Sequence, residues 1–161
     1  MFLPKAEMFK SFMKIAIKEA KVAQNDGEIP VGAVVIDSQK KIISRGRNMT
    51  RELNDPTAHA EIIALRNACN LVSSNRLIGC SLYVTLEPCP MCASAISAAN
   101  IENLFYGASD PKSGGIENGP RVFTHKQTHF KTNIFHGFDE AQISDLLTDF
   151  FQSLRKSKGL K

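Results

Sequence analysis

Two stretches decide how this chain folds: Asn54-Asp55-Pro56-Thr57-Ala58-His59-Ala60-Glu61, and Ser81-Leu82-Tyr83-Val84-Thr85-Leu86-Glu87-Pro88-Cys89-Pro90-Met91-Cys92. In the first, Asp55 to Thr57 supply a capping side chain and a proline suited to a first helical turn, which predicts a helix from about Ala58 to Leu71. In the second, Ser81 to Leu86 is a short β-prone run, and Pro88 opens a short helix rich in Ala and Ser that continues through Ala99. The second stretch is therefore a strand that delivers the chain directly into a helix start.

The pattern continues on both sides. Residues 5–25 read as a helix in which Phe9, Met13, Ala16, Ile17 and Ala20 recur near the helical period, and Asp26-Gly27 stops it. Val31 to Asp37 and Lys41 to Arg47 form a hairpin across a polar turn. Ile101 to Tyr106 is a further strand, residues 107–121 with their glycines and prolines are a long loop, and Thr132 to His136 is a weaker strand. The last helix carries Ile143, Leu146, Leu147, Phe150, Phe151 and Leu154 on one stripe, with Asp139 and Gln142 as a capping pair at its start. A helix, two strands, then strands alternating with helices give a three-layer α/β domain around a mixed sheet.

At 161 residues the chain is expected to be one domain spanning residues 1–161, and an apolar fraction of 43% excludes disordered and fibrous classes. No apolar run approaches the roughly 20 residues a membrane span needs. Met1 to Lys10 mixes Phe2 and Leu3 with Lys5, Glu7 and Lys10, unlike a secretory signal, so the expected location is the cytoplasm. The formal charge of +4 suits a polyanionic partner such as RNA, and equally a protein that carries a few extra lysines. Four cysteines are present, Cys69, Cys80, Cys89 and Cys92; two of them are three residues apart, so metal binding is the better reading than disulfides.

Cys89 and Cys92, three apart at a helix start, can turn both sulfurs to one point, and the helix N-terminus favours thiolates. His59, at another helix start, supplies a nitrogen. Two thiolates and one imidazole suit zinc and leave the fourth tetrahedral position for water, the arrangement of a catalytic site. A structural zinc would need a fourth protein ligand. Cys80 begins a strand that puts it roughly 20 Å away, and Cys69 is about 15 Å down the helix from His59. Both are expected to be buried small apolar side chains; His125, His129 and His136 stay open as ligands. Glu61, two residues past His59, is in reach of a metal-activated water. Zinc lowers the pKa of such a water to about 7, and a carboxylate there can carry its proton to a substrate nitrogen and then to departing ammonia. Taken without that triad, Glu61 would read as a capping or surface carboxylate.

The pair His-x-Glu and Pro-Cys-x-x-Cys is the signature of zinc-dependent nucleobase deaminases. Beyond it, Glu28-Ile29-Pro30-Val31-Gly32-Ala33-Val34, Tyr106-Gly107-Ala108-Ser109-Asp110-Pro111-Lys112 and Asp149-Phe150-Phe151 join the two metal segments in a likeness that runs from about residue 10 to residue 155. The chain closely resembles the bacterial tRNA-specific adenosine deaminases of the cytidine deaminase-like superfamily. The resemblance implies an α/β/α fold with a central five-stranded mixed sheet. It implies conversion of adenosine to inosine at the first anticodon position of a tRNA, by a homodimer with one zinc per subunit. An anticodon stem-loop, that of an arginine tRNA, is the expected substrate. The resemblance puts zinc on His59, Cys89 and Cys92 and the proton shuttle on Glu61. It puts Asn48 against the flipped nucleoside, and Ile29, Pro30 and Val31 around the base. Asp110 and Lys112 fall in the region that handles nucleotides around the target, and Phe150 and Phe151 near the bound loop.

Several of these residues carry a plainer alternative. Asn48 and Asp110 also suit turns, Phe150 and Phe151 continue an apolar stripe, and Arg155, Lys156, Lys158 and Lys161 suit a solvated helix end. Gly114 to Thr132 departs from the family pattern. A deaminase of free cytosine, cytidine or guanine would share the zinc and Glu61, and a non-catalytic zinc or RNA-binding module would need a fourth protein ligand.

Overall fold

The strand Gly32–Ile36 (β1) is an interior strand of the sheet and shows why the core has two halves. Its side chains alternate: Ala33 and Val35 enter one apolar cluster, Val34 and Ile36 the other. The fold is taken from a computed structural model, which describes the backbone of residues 5–157 and 159 and the side chains from Phe12 to Ser157. The expectations for Phe9, Lys158, Lys161 and the Met1 to Lys10 segment rest on side chains or residues outside that range.

In chain order the elements are α1 (Lys5–Asn25), β1, β2 (Ile42–Arg47), α2 (Ala60–Val72), β3 (Ser81–Leu86), α3 (Pro90–Ala98), β4 (Asn103–Ala108), β5 (Asn133–His136) and α4 (Glu140–Ser157). The sheet order is β2-β1-β3-β4-β5. β1 is antiparallel to both β2 and β3, whereas β3, β4 and β5 are parallel. This is the five-stranded mixed sheet the resemblance implied. Tyr83 and Phe105 on one face pack with Phe12, Met13, Ala16 and Ile17 of α1 and Ile143 of α4. Leu82, Val84, Leu104 and Tyr106 on the other pack with Ala60, Ala64, Leu65 and Ala68 of α2 and with Ala93 and Ile96 of α3. Three layers result. No described helix is long and apolar enough to cross a membrane.

Four local expectations are corrected. β4 runs two residues later than the pattern suggested, because Gly107 is a strand interior where Ile143 approaches too closely for a side chain, not a strand end. α2 begins at Ala60 rather than Ala58: the Asp55 carboxylate accepts from the backbone N–H and hydroxyl of Thr57 and closes a turn upstream of the helix. α3 likewise opens after Cys89, not at Pro88. Asp139 and Gln142 form no capping pair; Asp139 has φ +53° and its Oδ2 is buried without a hydrogen-bond partner among the described residues. The stripe of α4 is only partly covered, with Ile143 and Phe150 buried, Leu147 half-buried and Phe151 exposed.

Where α2 crosses β2, Gly46 faces the backbone of Ala60 and Ala64 with no room for a Cβ. Gly46→Ala should therefore push the start of α2 off the sheet. We expect a loss of about 1–3 kcal/mol, read as a lower urea midpoint; an unchanged midpoint would show that the helix yields freely there.

Candidate metal centre and active site

The helices α2 and α3 both begin next to the β1–β3 pair, and in each the N-cap side chain makes no capping hydrogen bond. His59 is the N-cap of α2 and Cys89 that of α3. Relieved of capping, both side chains turn to one point. Cys92, in the first turn of α3, joins them. His59 Nδ1 lies 3.7 Å from Cys89 Sγ and 3.5 Å from Cys92 Sγ, and the three donor atoms fall within 4.8 Å of one another. A tetrahedral zinc with ordinary Zn–N and Zn–S bonds needs N···S separations of about 3.6 Å, so the donor set and its spacing fit one such ion.

Among the described residues no other His, Cys, Asp or Glu joins this group. The histidines left open by the sequence are engaged elsewhere: His125 Nε2 lies 2.6 Å from the Pro120 carbonyl, and His136 pairs with Glu117 at 3.1 Å. His129 faces a separate recess with Ser94 and Ser97. Cys80 is buried and Cys69 half-buried against the apolar core, both with thiols raised chiefly by burial. A zinc held by these three side chains would keep one position open, the arrangement of catalytic rather than structural zinc.

The charges at the centre are coupled. A hydrogen bond from Cys92, aided by His59, pulls the Cys89 thiol down, although burial opposes it. The same bond, with burial, pushes the Cys92 thiol up. The hydrogen bond with Cys89 raises the His59 imidazole against the effect of burial. Glu61, 4% exposed, sits in the first turn of α2. Burial pushes its carboxyl up to about 7, with its own backbone N–H and the His59 imidazole pulling the other way. A carboxyl poised near neutrality suits a group that must both take and give a proton.

His59, Glu61 and Cys89 line a cavity of about 540 Å³, within the size range of small-molecule sites, and Cys92 is buried beside them. Ile29, Val31, Asn48, Asp110 and Lys112 line it, as the sequence led us to expect of residues around a substrate, and Phe151 reaches it from α4. Pro30 and Phe150 do not: both are buried in the protein interior. Thr50, Ser109, Ser113 and Leu147 complete the wall and were not singled out in the sequence. Leu147 was legible only as part of the α4 stripe, one turn before Phe151.

Two buried carboxylates, also unforeseen, fix the loops that carry these residues. Glu87, 2% exposed, accepts from the backbone N–H groups of Asp110, Ile116, Glu117 and Asn118 and from the side chains of Asn118 and Ser109. Burial raises its carboxyl, but this ring of donors wins and holds it down at about 2. The segment 109–118 is thereby wrapped around one side chain. Glu28, 1% exposed, accepts from the N–H groups of Arg51 and Glu52, from the Thr50 hydroxyl and from Asn48 Nδ2. Burial again raises the carboxyl, and the Glu52 and Arg51 N–H groups, the Thr50 hydroxyl and the Arg51 charge outweigh it.

The site and the fold together define a zinc-dependent deaminase. The profile of the family described as "Cytidine and deoxycytidylate deaminase zinc-binding region" matches residues 6–108. A tRNA-specific adenosine deaminase of Agrobacterium fabrum is 46% identical over 89% of this chain and 94% of its own length. A solved structure from studies of A-to-I editing by tRNA:A34 deaminases at the wobble position is 47% identical, with a TM-score of 0.83 over 85% of this chain and 99% of that one. A guanine deaminase from Bacillus subtilis is 42% identical over 62% of this chain and 63% of that one, with a TM-score of 0.59. The chain belongs to this zinc-binding deaminase family and, within it, to the tRNA-specific adenosine deaminases.

Two outcomes follow for the site. His59→Ala should lose bound zinc, measured as metal per chain after dialysis; unchanged stoichiometry would remove His59 from the ligand set. Glu28→Gln should cost about 1–3 kcal/mol at neutral pH, because one buried acceptor oxygen becomes a donor facing donors. The folded Glu28 carboxyl titrates below its ordinary value of 4.5. The stability it contributes is therefore complete above that value and is lost as pH falls through the folded one. Urea unfolding of both proteins should show the wild type's advantage shrinking below about pH 4.5; a constant gap would contradict the role of the charge.

Proposed function

We propose that this protein deaminates adenosine to inosine at the first anticodon position of a tRNA, with His59, Cys89 and Cys92 as zinc ligands and Glu61 as the proton carrier. The observation that carries this reading is the meeting of His59 Nδ1 with both sulfurs beside a buried Glu61, where His59, Cys89 and Glu61 line one cavity, in a chain so similar to tRNA-specific adenosine deaminases. Zinc held there supplies the Lewis acidity that makes a water nucleophilic near neutral pH.

The reaction consumes adenosine and water and yields inosine and ammonia: a C6–O bond forms and the C6–N bond breaks. As the water oxygen bonds to C6, a Glu61 carboxylate oxygen takes its proton and delivers it to N1, which draws electrons from C6. Glu61 then carries the second proton to the 6-amino nitrogen, which leaves as ammonia. Ile29 and Val31 wall the base, Asn48 faces the nucleoside, and Asp110, Lys112 and Phe151 meet the neighbouring nucleotides. Glu61 is nearly sealed from solvent, so in this reading the target must leave its stack to reach it. A loop base does so at lower cost than one in a duplex. In the same reading the protein acts in the cytoplasm as a homodimer with one zinc per subunit, and an arginine tRNA is the substrate.

The likeness to a guanine deaminase favours a second reading, in which the substrate is a free base. The test is to incubate zinc-loaded protein with an arginine tRNA anticodon stem-loop bearing adenosine at the first anticodon position. Free adenosine, cytidine, cytosine and guanine run beside it, and inosine or ammonia is quantified. We expect turnover of the stem-loop far above that of any free compound, since contacts to neighbouring nucleotides add to transition-state binding. Glu61→Gln should keep its zinc and lose at least about 10²-fold in rate. Turnover confined to a free base would move the protein to the second reading.

A further inference from the structure

The environment of Glu28 determines which atom Asn48 offers to the cavity. Glu28 Oε1 takes the N–H groups of Arg51 at 2.7 Å and Glu52 at 2.9 Å. Its Oε2 takes the Thr50 hydroxyl at 3.1 Å and Asn48 Nδ2 at 3.1 Å. An ionised carboxylate only accepts hydrogen bonds, so Asn48 has to turn its NH₂ toward Glu28. The other amino hydrogen is directed at Thr50 Oγ1, 3.5 Å away, whose own proton already goes to Glu28. The polarity of the three side chains is thus fixed in one sense by a buried charge. What remains of the Asn48 amide is its Oδ1. That oxygen takes no hydrogen bond from any described residue and is not among the sealed, unpartnered atoms, and Asn48 lines the cavity beside His59 and Glu61.

An acceptor oxygen in the cavity calls for a donor on the ligand. In adenosine, N1, N3 and N7 are acceptors. The one N–H donor is the 6-amino group, which belongs with Glu61, where it leaves. The remaining donors are sugar hydroxyls, and within a polynucleotide the 3′ oxygen is esterified. Only the 2′-hydroxyl is left.

We propose that Glu28 is a positioning residue that locks the Asn48 amide so that its Oδ1 accepts a hydrogen bond from the 2′-hydroxyl of the target nucleotide. The pocket then distinguishes ribose from deoxyribose at the reacting position itself. The proposal rests on the tRNA reading above and adds to it the group on the substrate that is recognised and the residue that sets the polarity.

The test uses three stem-loops that differ only at the target adenosine: ribose, 2′-deoxyribose and 2′-fluoro. The 2′-fluoro sugar keeps the ribose-like pucker without a donor. Wild-type, zinc-loaded protein should lose about tenfold in kcat/KM with both modified sugars, the loss of one ordinary hydrogen bond. In Asn48→Ala the ratio of ribose to deoxyribose should fall to near one, whatever the absolute rate. In Glu28→Gln the N–H groups of Arg51 and Glu52 keep the amide oxygen on their side, so the new NH₂ faces Asn48 and frees it to turn. The ratio should then fall to about threefold or less while zinc stays at one per chain, a change that a merely structural defect would not produce. Equal wild-type rates on all three sugars would overturn the proposal without touching the tRNA reading. So would an undiminished ratio in Asn48→Ala, and an undiminished ratio in Glu28→Gln would remove Glu28 from the role. No inosine even from the all-ribose loop would sink the tRNA reading, and this proposal with it. The wild-type comparison needs no variant to fold.

Discussion

Three donor atoms from two helix N-termini have to meet within bonding distance of one point, and much of the molecule is arranged around that requirement. A helix start ordinarily spends its N-cap side chain on its own free N–H groups. In α2 and α3 it does not, and the chain compensates differently in each. Ahead of α2, Asp55 and Thr57 form a closed turn of their own, which lets His59 face inward. At α3, Pro90 occupies the first helical position and has no N–H to satisfy. Both solutions need the helices close to the sheet. Gly46 admits α2 to β2, and the antiparallel pairing of β1 with β3 brings the two helix starts side by side. A helix start is also where a thiolate is best tolerated, so the geometry that gathers the ligands also favours their charge.

The three buried glutamates around the cavity show how surroundings divide one residue type into different tasks. Glu28 and Glu87 are ringed by donors and held below the usual carboxylate range. A charge so satisfied is inert and serves as an anchor, gathering backbone N–H groups that a loop would otherwise leave to water. Glu61 is as deeply buried but poorly supplied with donors, and burial pushes it upward. Its proton is exchangeable near neutrality for that reason. A carboxylate with a full ring of partners could not do that work, and one with so few could not organise a loop.

Much of this was legible in the sequence, and what was missed has physical causes. Apolar runs, periodic patterns and start signals located the described strands and α-helices, because burial against a sheet imposes them; the short 3-10 turn Val122–Thr124 was not legible. The cluster of His59, Cys89 and Cys92 was legible because thiolate and imidazole at helix starts have few other uses. Glu28 and Glu87 were passed over because a charged residue between apolar ones normally reads as exposed, and the donors that satisfy them arrive from 20 to 31 residues away in the chain. Gly107 read as a loop because a strand glycine kept for close packing by Ile143 looks the same as a turn glycine. Asp139 read as a cap from its residue type and spacing, but its left-handed backbone points the carboxylate elsewhere. Phe150 and Phe151 read as a pair. One residue of offset on a helix turns neighbours about 100° apart, so one enters the core and the other reaches the cavity.

That division within α4 continues across the cavity as a whole. Its inner wall holds Glu61, which is almost unexposed, and the half-buried His59 and Cys89 at the two helix starts. Its rim is made by loop 109–113 and by the half-covered stripe of α4, where Phe151 is 42% exposed. Proton transfer tolerates errors of only a few tenths of an ångström, so the reacting groups belong on the rigid side. In the proposed reading, a polymer chain that bends to present one nucleotide would meet the side made of exposed and polar groups. Glu87 joins the two halves. It sits between the end of β3 and Cys89 and holds the rim loop by its backbone. The loop that brings Asp110 and Lys112 to the cavity is therefore anchored by one buried side chain and not by its own stiffness alone.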